Sequence, residues 1–413
     1  MIKKLFSILL ICILAIGTCA CNVNGIIDED FLDTMELDFS KGGQIKVWVP
    51  EEIASQTNNQ CERFFKEYPE YHAYSFSIET VGEDDSVNTM LSDVENGADI
   101  YSFPQDQLAR LVSTDAIMAS DEKFVTLCND AGAVKASMIG DTTYGYPITS
   151  DNGFFLYYDS SVVSDPSTIE GILDDCEAAG KNFYMELNSG WYQTAFFFGS
   201  GCKLSYDIDT NGAFTACNVN YASENGVKAF RAMLKLAESK AFKNGSSIAD
   251  GVNIGAIVDG TWDSSNAKRL FGENYACAKL PTFGGVQMSG FSGFKLLGVK
   301  PQDDPAKEYV ANELAKYLSD EKAQIERFNL AGWGPSNIKA AQDANVCADE
   351  ALNALREQIP YMIPQGQYPV DYWMLSEALG DEVISHKYSS AAGSDQIMAV
   401  LQEFQDTCIS YAQ

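Results

Sequence analysis

The apolar and polar positions of this chain alternate between short apolar runs and amphipathic stretches. QIKVWV at 44–49 predicts a strand, ended by Pro50 and Glu51. Residues 53–67 place Cys61, Phe64 and Phe65 on one helical face. A second strand is predicted over 74–81, a helix over 86–95 with Asn96-Gly97 as its stop, a buried strand over 99–103 and a helix over 107–112. Strand–helix–strand–helix–strand predicts a parallel sheet covered by helices.

After Tyr146-Pro147 the chain changes course. GFFLYY at 153–158 reads as a bare apolar strand, 168–179 as a helix ending at Gly180, 183–187 as a strand, and 191–198 as an aromatic helix. A hairpin is expected over 203–217 with Asn211-Gly212 at its turn, then a long amphipathic helix over 221–239. A strand over 254–259 runs into AIVDGTW, 256–262, where it stops at a glycine turn and delivers Trp262 to its mouth. A strand over 291–299 and a helix over 305–319 follow, and the pattern breaks at GWGPSN, 332–337. The rest is helical apart from a PQGQYP loop. These elements predict an α/β chain of two units, with a cleft where their loops face each other.

Three tryptophans stand beside turn residues: Trp191 after NSG, Trp262 after DG and Trp373 after PVD. Each could be a core anchor, since large aromatics are mostly buried. Their shared position at element ends also fits flat platforms for sugar rings. Carboxylates accept strong hydrogen bonds from hydroxyls, and Glu52, Asp106 and Asp151 lie near element ends. Each is equally readable as a loop acid, and Asp106 as a helix cap. Asp207, Asp209, Asn211 and Gly212 imitate the start of a calcium loop, but Asn218 stands where a bidentate glutamate is needed. No metal or cofactor is expected, and no GxSxG, HExxH or Walker motif occurs.

Length and charge narrow this further. At 413 residues the chain exceeds one ordinary core. Its 58 acidic and 28 basic side chains give a formal charge of -30, which excludes nucleic acid as a partner. Lys3 and Lys4 precede an apolar segment, 5–17, too short to span a bilayer comfortably, and Thr18-Cys19-Ala20-Cys21 follows. This resembles a bacterial lipoprotein signal over 1–21, with Cys21 as the lipidated residue, and 22–42 as an acidic tether. The chain is then exported and anchored by lipid to the outer face of the bacterial cell membrane. Among the later cysteines, Cys202–Cys217 is the one disulfide the spacing proposes, across the expected hairpin.

DTTYGYPITSDNGFFLYYDSSVV, NSGWYQTAFFFGSGC, AIVDGTW and AKLPTFGG together resemble the extracellular solute-binding proteins of carbohydrate ABC importers, in particular their maltose/maltodextrin branch. The resemblance runs from about residue 44 to the C-terminus. It implies a two-lobed clamshell of the periplasmic-binding-protein type, one lobe over 43–149 plus 286–334 and the other over 150–283 plus 336–413. Crossings would fall near 149–151, 283–286 and 333–336. Family stacking positions fall on Trp191, Trp262 and Trp373, with Tyr192 and Tyr372 beside them and Phe103 where another tryptophan is usual. Family hydroxyl-binding carboxylates fall on Asp106, Asp151 and Glu52. Gln107 and Ile53 replace an arginine and a lysine of the maltose binders. The implied function is non-enzymatic: a monomer that closes on an oligosaccharide, most simply a maltodextrin-type glucan, and delivers it to ABC permease subunits. A ligand sensor for a membrane receptor would share the fold, and a surface glycoside hydrolase would need a protonated acid in an apolar niche.

Overall fold

Strand Gly43–Val49 runs through the first of two sheets. Ile45, Val47 and Val49 point into one core cluster and Trp48 into another, the two-residue period of a strand covered on both faces. The computed structural model describes residues 37–412, so Cys21, the signal segment and most of the acidic tether lie outside the described residues.

In the first sheet Gly43–Val49 pairs parallel with Tyr74–Thr80 and with Ile100–Pro104, as the strand–helix alternation predicts. The sheet as a whole is mixed. Phe291–Val299 returns antiparallel to Ile100–Pro104 and also pairs antiparallel with Tyr146–Asn152, a strand the Pro147 signal concealed. Ile363–Pro364 adds a short parallel edge. Helices Glu51–Glu67 and Pro305–Ser319 pack with one face, and Glu83–Ser92 and Leu108–Ser113 with the other. The helix expected to stop at Asn96-Gly97 ends earlier, at Ser92 with Asp93 as its cap.

The second sheet has the order Phe242–Lys243, Asn182–Tyr184, Ile254–Gly260, Phe154–Asp159, Tyr275–Ala278. Ile254–Gly260 is buried throughout and lies antiparallel to Phe154–Asp159. Alternate residues of GFFLYY feed separate clusters, Phe154 and Leu156 on one side and Phe155 and Tyr157 on the other, which is why the run carries no polar alternation. Helix Ile169–Ala179 ends at Gly180, whose φ of 65° is the left-handed cap the sequence signals.

The hairpin forms as Leu204–Ile208 and Phe214–Val219, with Asp209 Oδ1 accepting from the Asn211 and Ala213 amides. Cys217 pairs in register with Tyr206, not with Cys202, so the expected disulfide is absent. Cys202 and Cys217 are free, as are the other cysteines among the described residues. No described helix is long and apolar enough to cross a membrane.

Candidate functional site

Strand Ile254–Gly260 ends in a tight turn, Thr261–Asp263, and this turn presents Trp262. The Trp262 and Trp191 rings lie 5.7 Å apart at 46°. Trp191 opens helix Gly190–Phe197 and packs edge-on to Phe154 and Tyr192. A Cβ at Gly190 would lie 3.4 Å from the Trp373 ring and 2.5 Å from the Ser376 Cβ, so this glycine lets helix Val370–Ile384 approach closely. Trp262, Trp191 and Trp373 therefore form one row along the second sheet's loop end. All three are partly exposed, and Trp191 and Trp373 also pack against the second sheet's core.

The tyrosines beside them support the row from behind. Tyr372 is 1% exposed, with its ring 4.8 Å from Trp373, and Tyr192 is 5% exposed against Phe154. Tyr368, from the PQGQYP loop, contacts both Tyr372 and Trp373 and donates to the Leu204 carbonyl. Sequence patterning gave no separate signal for it.

The carboxylates divide by position. Asp151, at the end of strand Tyr146–Asn152, is buried at 4% exposure and accepts hydrogen bonds from Thr261 Oγ1 and the Gly334 amide. Burial pushes its pKa up, while Thr261, Gly334 and the Lys295 charge pull it back. It sits one residue from Trp262 through Thr261, and it also staples the 332–337 loop to the first sheet. Ser150 repeats the link, its amide donating to the Gly334 carbonyl at 2.9 Å.

Asp106 lies in the turn Gln105–Gln107 after strand Ile100–Pro104 and accepts from Gln107 Nε2. It does not cap the following helix, whose capping position is Gln107. Its backbone carbonyl receives the Tyr368 amide at 3.5 Å, and its charge acts on Tyr368 and Arg110. This brings Asp106 to the Trp373 end of the row. Glu52 is exposed in the first turn of helix Glu51–Glu67. Phe103 is 0% exposed, inside the core cluster with Tyr101 and Leu296, and its ring offers no open face.

One further side chain reaches Trp262 from the first sheet. Lys295, the lone charge in FSGFKLLGV, has its Nζ 5.4 Å from the Trp262 ring centroid and 4.1 Å from that of Trp333. Glu83 binds this ammonium at 2.6 Å. Behind Trp262, Asp259 is wholly buried, and burial with the neighbouring Asp263 carboxyl pushes its pKa well up.

Further contacts around the turn Gln105–Gln107 and helix Leu108–Ser113 lie away from Trp262. Gln105 Nε2 donates to the Gln365 carbonyl, Gln367 Nε2 donates to the Gln105 carbonyl at 2.8 Å, and the hairpin tip at Gly212 abuts the Ala109 carbonyl. A separate groove of about 500 Å³ lies between Phe196, Phe283, Met288 and helix Glu224–Ala237, and none of the three tryptophans lines it.

The sequence profile of the bacterial extracellular solute-binding proteins matches residues 61–354. The chain belongs to that family. Membership makes it an exported protein of a non-catalytic class. It is 24% identical to the galactooligosaccharide-binding protein of Bacillus subtilis, over 86% of this chain and 88% of that one. Among solved structures it is similar to a maltodextrin-binding protein of L. casei, with TM-score 0.73, 20% identity, and 89% and 99% of the two chains covered. It is also similar to the maltose-maltodextrin binding protein of Alicyclobacillus acidocaldarius, with TM-score 0.72, 17% identity, and 88% and 100% covered. These likenesses establish the two-lobed α/β solute-binding fold.

Proposed function

We propose that this protein is the binding component of a carbohydrate ABC importer and holds an oligosaccharide between the two sheets' loop ends. The observation that carries the reading is the row Trp262–Trp191–Trp373, partly exposed and flanked by Asp151 at one end and Asp106 at the other. Stacked indoles match the apolar faces of pyranose rings, and carboxylates accept from their hydroxyls. A galactooligosaccharide binder and maltodextrin binders among the relatives point to the same class of ligand. A maltodextrin-type glucan is the first ligand to test.

In this reading the lobes divide near residues 149–151, 283–286 and 333–336, and Phe103 and Tyr372 support the site from within the cores. The protein acts as a monomer without catalysis. It is lipid-anchored through Cys21 and hands its ligand to permease subunits. A thermal-shift screen over maltodextrins, galactooligosaccharides, xylans and mannans tests this, since a ligand that binds only the folded state raises the melting temperature. Trp262→Ala then weakens calorimetric affinity by about 1–3 kcal/mol, as for a large anchoring aromatic. No shift with any saccharide, or unchanged affinity in the folded variant, refutes the assignment.

A further inference from the structure

Trp262 leaves the second sheet, yet its ring is met by a cation from the first. Lys295 lies within strand Phe291–Val299, where Leu296 and Leu297 after it are buried and Phe294 before it is partly so. Its side chain is only 11% exposed and that of Glu83 only 9%. An ion pair removed from water to this degree carries a large desolvation penalty, so its retention calls for a compensating use. The geometry shows one. The ammonium is held at 2.6 Å by Glu83, the first residue of helix Glu83–Ser92, and lies between two indoles, 4.1 Å from the Trp333 centroid and 5.4 Å from that of Trp262. Trp333 belongs to the 332–337 loop whose next residue, Gly334, is tied to Asp151. The cation thus joins the first sheet, the 332–337 loop and the tryptophan platform at one point.

We infer that Lys295, clamped by Glu83, is a positioning residue that fixes the Trp262 ring for ligand stacking by a cation–π contact made across the two sheets. A poorly screened ammonium over an indole favours one ring orientation, and here the ammonium and the indole come from different sheets. The inference rests on the oligosaccharide reading for its effect on affinity, and on the structure alone for its effect on Trp262.

The test is a double-mutant cycle read by calorimetry with maltotetraose and galactotetraose, using Lys295→Met, which keeps most of the apolar stem and removes the charge. Lys295→Met weakens binding about three- to tenfold in the wild-type background and less than about twofold beside Trp262→Ala. Lys295→Arg restores most of the affinity. The same loss in both backgrounds, or none in either, overturns the inference, because a merely structural lysine acts without regard to Trp262.

A second readout needs no sugar. The emission of Trp262 is isolated by subtracting the Trp262→Phe spectrum, in the wild type and in Lys295→Met. A changed Trp262 emission in Lys295→Met, returned by Lys295→Arg, supports the contact, and an unchanged one overturns it. If neither tetrasaccharide binds the wild type, the oligosaccharide reading fails for these ligands and this spectrum alone decides the role of Lys295.

Discussion

Thr261→Val removes one hydroxyl at the point where the two sheets and the 332–337 loop meet. Thr261 is 1% exposed, and its Oγ1 donates to Asp151, itself 4% exposed. Valine fills nearly the same volume, so the change deletes a donor without opening a cavity. A hydrogen bond to a charged group contributes about 1.5–3 kcal/mol, and a neutral one about 0.5–1.5 kcal/mol. The site is closed to solvent at this burial, and the Gly334 amide remains as a donor. The expected loss is therefore about 2 kcal/mol while Asp151 is ionised. The pH dependence follows from the raised pKa of Asp151. An acid whose folded pKa lies above its unfolded value binds more protons when folded, so its contribution to stability falls as pH rises between the two values. Losing the Thr261 donor raises the folded value further and extends that window upward. The deficit of the variant is thus full above the folded pKa and shrinks towards that of a neutral pair, about 1 kcal/mol, once the carboxyl is protonated. Urea unfolding at pH 7.5 and in mild acid measures both. Equal deficits at the two pH values, or none at pH 7.5, refute the role assigned to this bond.

Three other outcomes are expected. Gly212 has φ of 81°, and a Cβ there would lie 2.3 Å from the Ala109 carbonyl oxygen, so Gly212→Ala lifts the hairpin tip off helix Leu108–Ser113 at a cost of about 1–2 kcal/mol. A lower melting temperature and a larger radius of gyration by small-angle scattering check this, and no change in either contradicts it. Asp320 caps helix Glu321–Ala331 through the Ala323 amide, and burial pushes its pKa up to about 6. Ionised Asp320 therefore lowers stability as pH rises from about 4 to 6, and Asp320→Asn, still a capping residue, is about 1–3 kcal/mol less sensitive to pH across that window in parallel denaturation curves. With the cysteines of the described residues free, dithiothreitol leaves the melting temperature of the purified protein unchanged.

Much of the fold was legible because its strands and helices obey local rules. QIKVWV, GFFLYY and AIVDGTW each carry an apolar run bounded by proline, glycine or charge, and each forms a strand within a residue or so of the expected limits. Tyr146–Asn152 was concealed because Pro147 removes an amide, and proline in a strand normally argues against pairing. The mixed character of the first sheet was hidden for another reason. Phe291–Val299 comes back from far along the chain, and no local pattern states the direction in which it pairs. Among the site residues, the three tryptophans announced themselves by standing at turns. Phe103 shows the limit of transferring a position, since its neighbourhood in this chain is core. Lys295 had a signal in plain view, one charge inside an apolar strand, but its meaning depended on Glu83 and Trp262, which lie far away in sequence.

The turn Thr261–Asp263 concentrates these constraints on one ring. Thr261 binds Asp151 of the first sheet, the buried Asp259 carboxyl is a hydrogen-bond partner of Trp262, and the Lys295 ammonium lies over its ring. The Trp191 ring, 5.7 Å away, continues the aromatic row. A sugar stacked on Trp262 would therefore meet a ring whose orientation both sheets help to set. Any motion that separates the two sheets at this point would weaken the Lys295 contact and loosen the ring. Ligand affinity then includes the difference between a fixed and a loosened platform, and the ligand favours closure to the extent of that difference. On this argument, weakening the anchor lowers affinity without touching any atom that contacts the sugar, whereas deleting Trp262 removes both effects together. The non-additivity of the Lys295 and Trp262 substitutions is the quantity that separates the two contributions.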